Sequence, residues 1–369
     1  MIYLDVAATT KPTRAAIDEF NRISTDCWLN PSSRLYSTAA AQNLERARED
    51  IANVLGVSPT TIVFTSGSTE TANWIIRRSV GEGDHIITTH LEHPCVYNTV
   101  LETNCNIHFL DNDENGQIDL LTLYNLLEYC KRTGGRVLVA IMGANNEIGT
   151  IYPTRLIGEM VHSYPKARYF CDATQLWAHG EIDIEGVDFA CASAHKFGGF
   201  KGSGFLYVKE GVDLPPLIYG GHQEHDMRAG TENLAGICAM SLAFKESAKR
   251  RHQSLIRALS VRGHAMNLFS GSYRVNGGID VLPNILSVTM PSGDASKVIA
   301  ALSLDEIYLS AGSACSLGLP EPSRILMSIG LSEMEARRTI RISFDDTITA
   351  EDIDTVFKKI ENYREMLDD

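Results

Sequence analysis

The feature that most constrains this chain is an alternation of short β-rich runs with helical segments, repeated from residue 38 onward. Residues 39–55 carry apolar side chains at helical spacing, and residues 61–65 read as a strand ending in Ser66-Gly67-Ser68, with a helix opening near Thr69. Strands expected at 85–88, 107–110, 136–141, 167–171 and 188–193 are separated by helices over 95–102, 120–130 and 156–163, and a further strand follows at 205–208. This rhythm implies parallel βαβ units in an open α/β sheet covered on both faces, with ligands beyond the carboxyl ends of the strands. After a long helix over 232–259 the pattern changes. Strands at 273–275, 284–290 and 339–344 interleave with helices over 295–304 and 350–366, the reading of a smaller α+β domain. The boundary is expected near residue 250, giving a large domain of 1–250 and a small one of 251–369, with residues 1–15 packing on the small domain.

Of 369 residues, 44% are hydrophobic, enough for two ordinary cores and too many for a disordered chain. The net charge of −13 lacks the basic field of a nucleic-acid binder, so no direct nucleic-acid contact is expected. Met1-Ile2-Tyr3-Leu4-Asp5 has no basic or apolar leader pattern, and the longest near-apolar run, 234–244, is about half a bilayer span. No membrane association is expected. The eight cysteines are dispersed and contain no Cys-x-x-Cys pair, which favours a reducing, cytoplasmic setting over a disulfide framework.

Four strand tips carry chemistry: Ser66-Gly67-Ser68-Thr69, His90-Leu91-Glu92-His93, Asp172-Ala173-Thr174-Gln175 and Ser193-Ala194-His195-Lys196. A lone lysine is ordinarily solvated, but Lys196 sits between a buried-type strand and a glycine-rich turn. Ser193 and His195 beside it can donate to a phosphate. Lys196 can form a Schiff base and Asp172 can hold a pyridinium proton, the pair that pyridoxal 5'-phosphate requires. Ser68 and Thr69 open a helix after a glycine turn, where free N–H groups and the dipole suit a phosphate; an ordinary helix cap would look similar. No Walker loop is present. Two histidines and Cys95 fall within six residues at 90–95, yet no Cys or His pair at zinc spacing follows, and His222 and His225 are distant. No metal site is expected there, and His93 reads as an imidazole stacked on a cofactor ring and exchanging protons near neutral pH.

Together these motifs resemble the cysteine desulfurases of the class V aminotransferase group, fold-type I pyridoxal-phosphate enzymes. The resemblance runs nearly end to end: Tyr3-Leu4-Asp5, Ala8-Thr9-Thr10, Asn30-Pro31-Ser32-Ser33, residues 64–70, Glu92-His93, residues 145–149, 172–175 and 193–196, then Arg228-Ala229-Gly230-Thr231, Ser313-Ala314-Cys315 and Arg341-Ile342-Ser343. It implies that Lys196 is the Schiff-base lysine, that Asp172 pairs with the pyridine nitrogen, and that Gln175 and Asn146 hydrogen-bond around the ring oxygen and substrate. It further implies that Ser68, Thr69, Ser193 and His195 hold the phosphate and that Arg341 clamps the substrate carboxylate. A homodimer is implied, Thr231 reaching the phosphate of the partner subunit.

Cys315, in the small-residue stretch 310–318, would be the nucleophile, and its distance from residues 321–323 matches the longer-loop subgroup, whose loop carries sulfur outward. The implied reaction converts L-cysteine to L-alanine, leaving sulfur on Cys315 as a persulfide for an acceptor protein in iron–sulfur cluster biosynthesis, tRNA thiolation or DNA phosphorothioation. Other readings are a selenocysteine lyase, a small-substrate class V aminotransferase and a non-catalytic scaffold. Four departures from the family stand out: Val6, Tyr36, His225-Asp226 in place of Arg-Gly, and Asp345-Asp346 after the Arg341 strand.

Overall fold

The computed structural model describes residues 1–33, 38–312 and 322–368. Its strands are β1 Ile2–Tyr3, β2 Ile62–Thr65, β3 His85–Thr89, β4 Asn106–Leu110, β5 Val137–Ala140, β6 Ala167–Asp172, β7 Phe189–Ser193, β8 Gly204–Val208, β9 Arg274–Asn276, β10 Ile285–Thr289, β11 Ile307–Tyr308, β12 Ser310–Ala311 and β13 Thr339–Ser343. Its helices are α1 Arg14–Asp26, α2 Thr38–Leu55, α3 Ser68–Ser79, α4 Pro94–Leu101, α5 Leu120–Thr133, α6 Thr154–His162, α7 Leu176–His179, α8 Leu234–Phe269, α9 Ala295–Leu304, α10 Arg324–Ser328, α11 Glu333–Arg337 and α12 Ala350–Asp368.

The large sheet has the order β2-β8-β7-β6-β5-β3-β4, in which β8 alone runs antiparallel to its neighbours. Its strands are apolar in succession because both faces are covered. Ile87, Val139 and Tyr169 point into one core, while Ile86, Leu138 and Phe170, one residue earlier or later, point into the other. The second sheet, β12-β13-β10-β9, is antiparallel, and its own core gathers Phe269, Leu286, Val288, Ile340, Ile342 and Ile360. The expected mostly parallel α/β sheet with a smaller α+β part is therefore the observed architecture. No helix among the described residues is long and apolar enough to cross a membrane.

Two differences from the sequence pattern have clear causes. The alternation becomes visible only at residue 38, yet α1 precedes it. Thr13 caps α1 by accepting from Ala16 N, and Ala16, Phe20, Ile23 and Cys27 turn one stripe to the core, but the helix stands outside the strand–helix alternation that made the later elements visible. Helix α8 also runs ten residues past the expected end at 259, through Gly263, because Ala265 and Phe269 bury in the second core while residues 234–244 bury in the first. Residue 250 lies within this helix. We propose that any division of the chain into two domains is bridged by α8 as a continuous rod.

Residues 2–10 run between the two sheets. Leu4 N donates to Tyr308 O, Ser343 N to Leu4 O, and Ala7 N to Ser343 Oγ; farther on, Thr10 N donates to His195 O at the tip of β7. The turn that opens α3 is pinned by close backbone packing. A Cβ on Gly204, the first residue of β8, would lie 2.5 Å from Gly67 Cα and 2.6 Å from Ala192 O. Gly204→Ala should therefore cost about 1–3 kcal/mol by overpacking. A chemical denaturation midpoint equal to that of the parent would show that this contact is not tight.

Candidate functional site

Beyond the carboxyl ends of β2, β3, β6 and β7 lies a cavity of about 320 Å3, closed on one side by Ala7 and Ala8 and on another by Arg341. It is lined by ten of the residues singled out from sequence: Ser68, Thr69, His93, Asn146, Asp172, Gln175, Ser193, His195, Lys196 and Arg341. The strand-tip rule explains the convergence, since each βα turn returns its polar residues to the same edge of the sheet.

Lys196 ends the short 3-10 turn after β7. Its Nζ donates to Ala7 O at 2.6 Å and to Ala8 O at 2.8 Å. Burial, aided by the nearby Arg341 guanidinium, lowers this amine from its usual range to about 8, against the opposing pull of Asp172 and Asp5. A substantial share is therefore neutral and nucleophilic near physiological pH. Asp172, the last residue of β6, is buried; its Oδ1 accepts from Thr174 N at 3.0 Å and from Cys191 Sγ at 3.4 Å.

Hydroxyls form a row at the mouth of α3. Ser68 Oγ lies 2.6 Å from Thr174 Oγ1 and 2.9 Å from Ser193 Oγ, and Ser68 N donates to Ser193 Oγ at 2.9 Å. Gly67, at φ 147°, brings the backbone close enough for this contact, since a Cβ there would meet Ser193 Oγ at 3.2 Å. His195 is held neutral, its imidazole lowered to about 4 by burial and by Lys196, with Nδ1 3.2 Å from Thr9 Oγ1. The His93 imidazole is likewise lowered, first by desolvation, although Asp172 opposes this. Its Nδ1 accepts from Cys95 N at 3.2 Å and lies 3.0 Å from Cys95 Sγ, which leaves Nε2 as the protonated nitrogen of the neutral ring.

Arg341, on β13, reaches the site from the other sheet. It pairs with Asp5 at 2.7 Å and donates to Asn146 O at 2.8 Å. Gln175 Nε2 donates to Ala7 O at 2.8 Å, while Gln175 Oε1 and Asn146 Oδ1 are buried without a partner. Buried orphan acceptors of this kind call for a ligand. The donor set fits pyridoxal phosphate: a partly neutral amine, a buried carboxylate, two unfilled amide acceptors, and hydroxyls beside the N-terminus of a 12-residue helix.

Some residues fall elsewhere. Thr231 is exposed and lines a separate cavity with Glu224, Arg228 and Gly202. Cys315 and Tyr36 lie outside the described residues. Val6 is fully buried, and Asp346 accepts from Ser254 Oγ at 2.6 Å. The His225-Asp226 departure sits in left-handed backbone: Glu224, His225 and Asp226 have φ of 48°, 55° and 69°. This costly geometry is tethered by the buried Arg48–Glu224 ion pair at 2.8 Å.

Sequence reasoning assigned no role to Asp5, Thr174 or the thiol of Cys95, all placed at the site by the fold. The available signals were Asp5 within Tyr3-Leu4-Asp5 and Thr174 within the Asp172 tip; Cys95 had none beyond its nearness to His93.

The class-V aminotransferase family profile matches residues 2–356. Cysteine desulfurase IscS of Clostridium botulinum (strain Hall) is 35% identical, over 99% of this chain and 96% of its own. Among solved structures, the NifS-like protein from Rickettsia africae superposes with a TM-score of 0.89 at 30% identity, covering 99% of both chains. SspA in complex with cysteine gives 0.81 at 30% identity, covering 93% of this chain and 99% of the other. On matches that span nearly its whole length, the chain belongs to the class-V aminotransferase family and, within it, to the pyridoxal-phosphate-dependent cysteine desulfurases.

Proposed function

We propose that this enzyme converts L-cysteine to L-alanine, transferring the sulfur to Cys315 and from there to an acceptor protein. The observation that carries the reading is the Lys196–Asp172–Arg341 cluster in one cavity, in a chain related to the desulfurases and to SspA, which was solved with cysteine. The transfer balances without an outside oxidant: cysteine and a Cys315 thiol yield alanine and a Cys315 persulfide.

When bound, pyridoxal phosphate supplies an electron sink that acidifies the substrate Cα–H. Asp172 would hold its ring nitrogen, and Gln175 and Asn146 would satisfy polar groups around the ring oxygen and substrate. Ser68, Thr69, Ser193 and His195 would hold the phosphate, with Thr231, exposed outside this cavity, serving the partner subunit's phosphate in a homodimer. Arg341 exchanges its Asp5 contact for the substrate carboxylate, a bidentate task suited to guanidinium. Lys196 Nζ, its amine already lowered to about 8, takes and returns the Cα proton. His93, protonated on Nε2 when neutral, faces the cavity and donates there. Persulfide chemistry at Cys315 suits the reducing cytoplasm.

Cys315→Ser should abolish alanine and sulfide release by at least about 100-fold while leaving the cofactor absorbance intact. Full turnover by that variant would overturn the nucleophile assignment. In the protein stripped of cofactor, labelling of Lys196 by an amine-reactive aryl sulfonate should rise through pH of about 8, where the amine loses its proton. Arg341→Gln removes a nearby cation, so the midpoint should move to higher pH; a midpoint at the ordinary lysine value in the parent would contradict the burial argument.

A further inference from the structure

Far from the cofactor cavity, the opposite end of the sheet gathers two histidines and a cysteine. His85 is the first residue of β3 and His108 lies in β4, the edge strand. In the parallel register His85 faces Asn106 and Ile87 faces His108, so both imidazoles stand on one face, two residues out of step. Helix α5 covers that face and its last turn contributes Cys130. His85 Nδ1 lies 3.0 Å from His108 Nε2, and Cys130 Sγ completes a set of three ligand atoms within 4.8 Å of one another.

The hydrogen bonds fix how the His85 ring is turned. Thr133 Oγ1 donates to the carbonyls of Tyr129 and Cys130, so at 3.2 Å it accepts from His85 Nε2–H. With that tautomer His85 Nδ1 is an acceptor and takes the His108 Nε2–H at 3.0 Å, with Cys130 Sγ nearby. A metal-ligating histidine ordinarily gives its other ring N–H to an outer acceptor, and the Thr133 hydroxyl fills that place here. The ring of Tyr129 packs edge-on against both imidazoles. His85 and Cys130 are buried, whereas His108 is half-buried on the sheet edge and offers an entry path.

We propose that His85, His108 and Cys130 form a binding site for a zinc-class divalent cation, with water as a fourth ligand. Two imidazoles and a thiolate are the donors such ions select. Ligand atoms around tetrahedral zinc are about 3.5 Å apart, and the three here lie within 4.8 Å of one another, so the set has to draw in to close on the ion. Binding displaces one proton, from the Cys130 thiol; His108, whose Nε2–H goes to His85 Nδ1 in the metal-free protein, carries its proton on Nδ1 instead and coordinates through Nε2. The ion ties β4, β3 and α5 together at the end of the sheet away from the cofactor, about 13 Å of strand from the tip of β3. Its role is to pin the sheet edge.

The test uses holoenzyme carrying Cys315→Ser, so that the proposed nucleophile cannot ligate metal, titrated anaerobically with Co2+ alone. Tetrahedral d–d bands, to the red of the cofactor absorption, should saturate at one equivalent. Cys130→Ser and His108→Gln should each weaken binding by at least about 100-fold, and Thr133→Ala by about 10-fold. Zn2+ should raise the melting temperature of the parent and not of Cys130→Ser. If Cys130→Ser fails to retain its cofactor, His108→Gln at the sheet edge decides alone. No tetrahedral band, or a band that survives substitution of these ligands, overturns the proposal.

Discussion

Residues 2–10 hydrogen-bond in turn to β11, to β13, to the tip of β7 and to the lysine of the cavity, and the site depends on this strap. Ala7 O accepts from both Gln175 Nε2 and Lys196 Nζ, while Asp5, two residues earlier, pairs with Arg341. One short segment thus joins the side chains of the large sheet to the arginine of the small one. Its carbonyls hold the amine in place while burial depresses its pKa. Breaking a largely buried pair such as Arg341–Asp5 costs about 3–5 kcal/mol, because it strands a charge away from water. In the proposed function a substrate carboxylate would take the place of Asp5, so that the Arg341 guanidinium is not left unpaired.

The two sheets do different work. The large one, covered on both faces, presents turns rich in hydroxyl, carboxylate and amine groups at one edge. The small one contributes a single guanidinium, from β13, and also carries β12, which leads toward Cys315. At the other end of that segment Ser323 caps α10, and its hydroxyl donates to Glu147 at 2.5 Å; burial holds Glu147 at about 7. The chain on either side of the proposed nucleophile is therefore anchored in well-packed structure.

Much of the site was legible because chemistry and position coincide in an open parallel sheet. Asp172, Ser193, His195 and Lys196 each lie at or just after the end of a strand, and ligands bind there. Asp5 was not legible as the partner of Arg341, since the two are 336 positions apart and meet only across the strap. Nor were His85, His108 and Cys130 legible as a cluster. Their spacing matches no local ligand motif, and the β3–β4 register together with the docking of α5 brings them together.

From its order of residues alone the chain determined a mostly parallel sheet flanked by helices, the edge at which ligands bind, and the kinds of side chain found there. These follow from short-range causes: period-2 and period-3.6 burial, glycine turns and helix starts. Tertiary structure alone decided that Lys196 is half-neutral near pH 8, that Gln175 and Asn146 keep unfilled acceptors, and that Thr231 stands outside the cavity. Solvent exclusion, Coulomb forces and hydrogen-bond partners act through space, between residues that the sequence holds far apart.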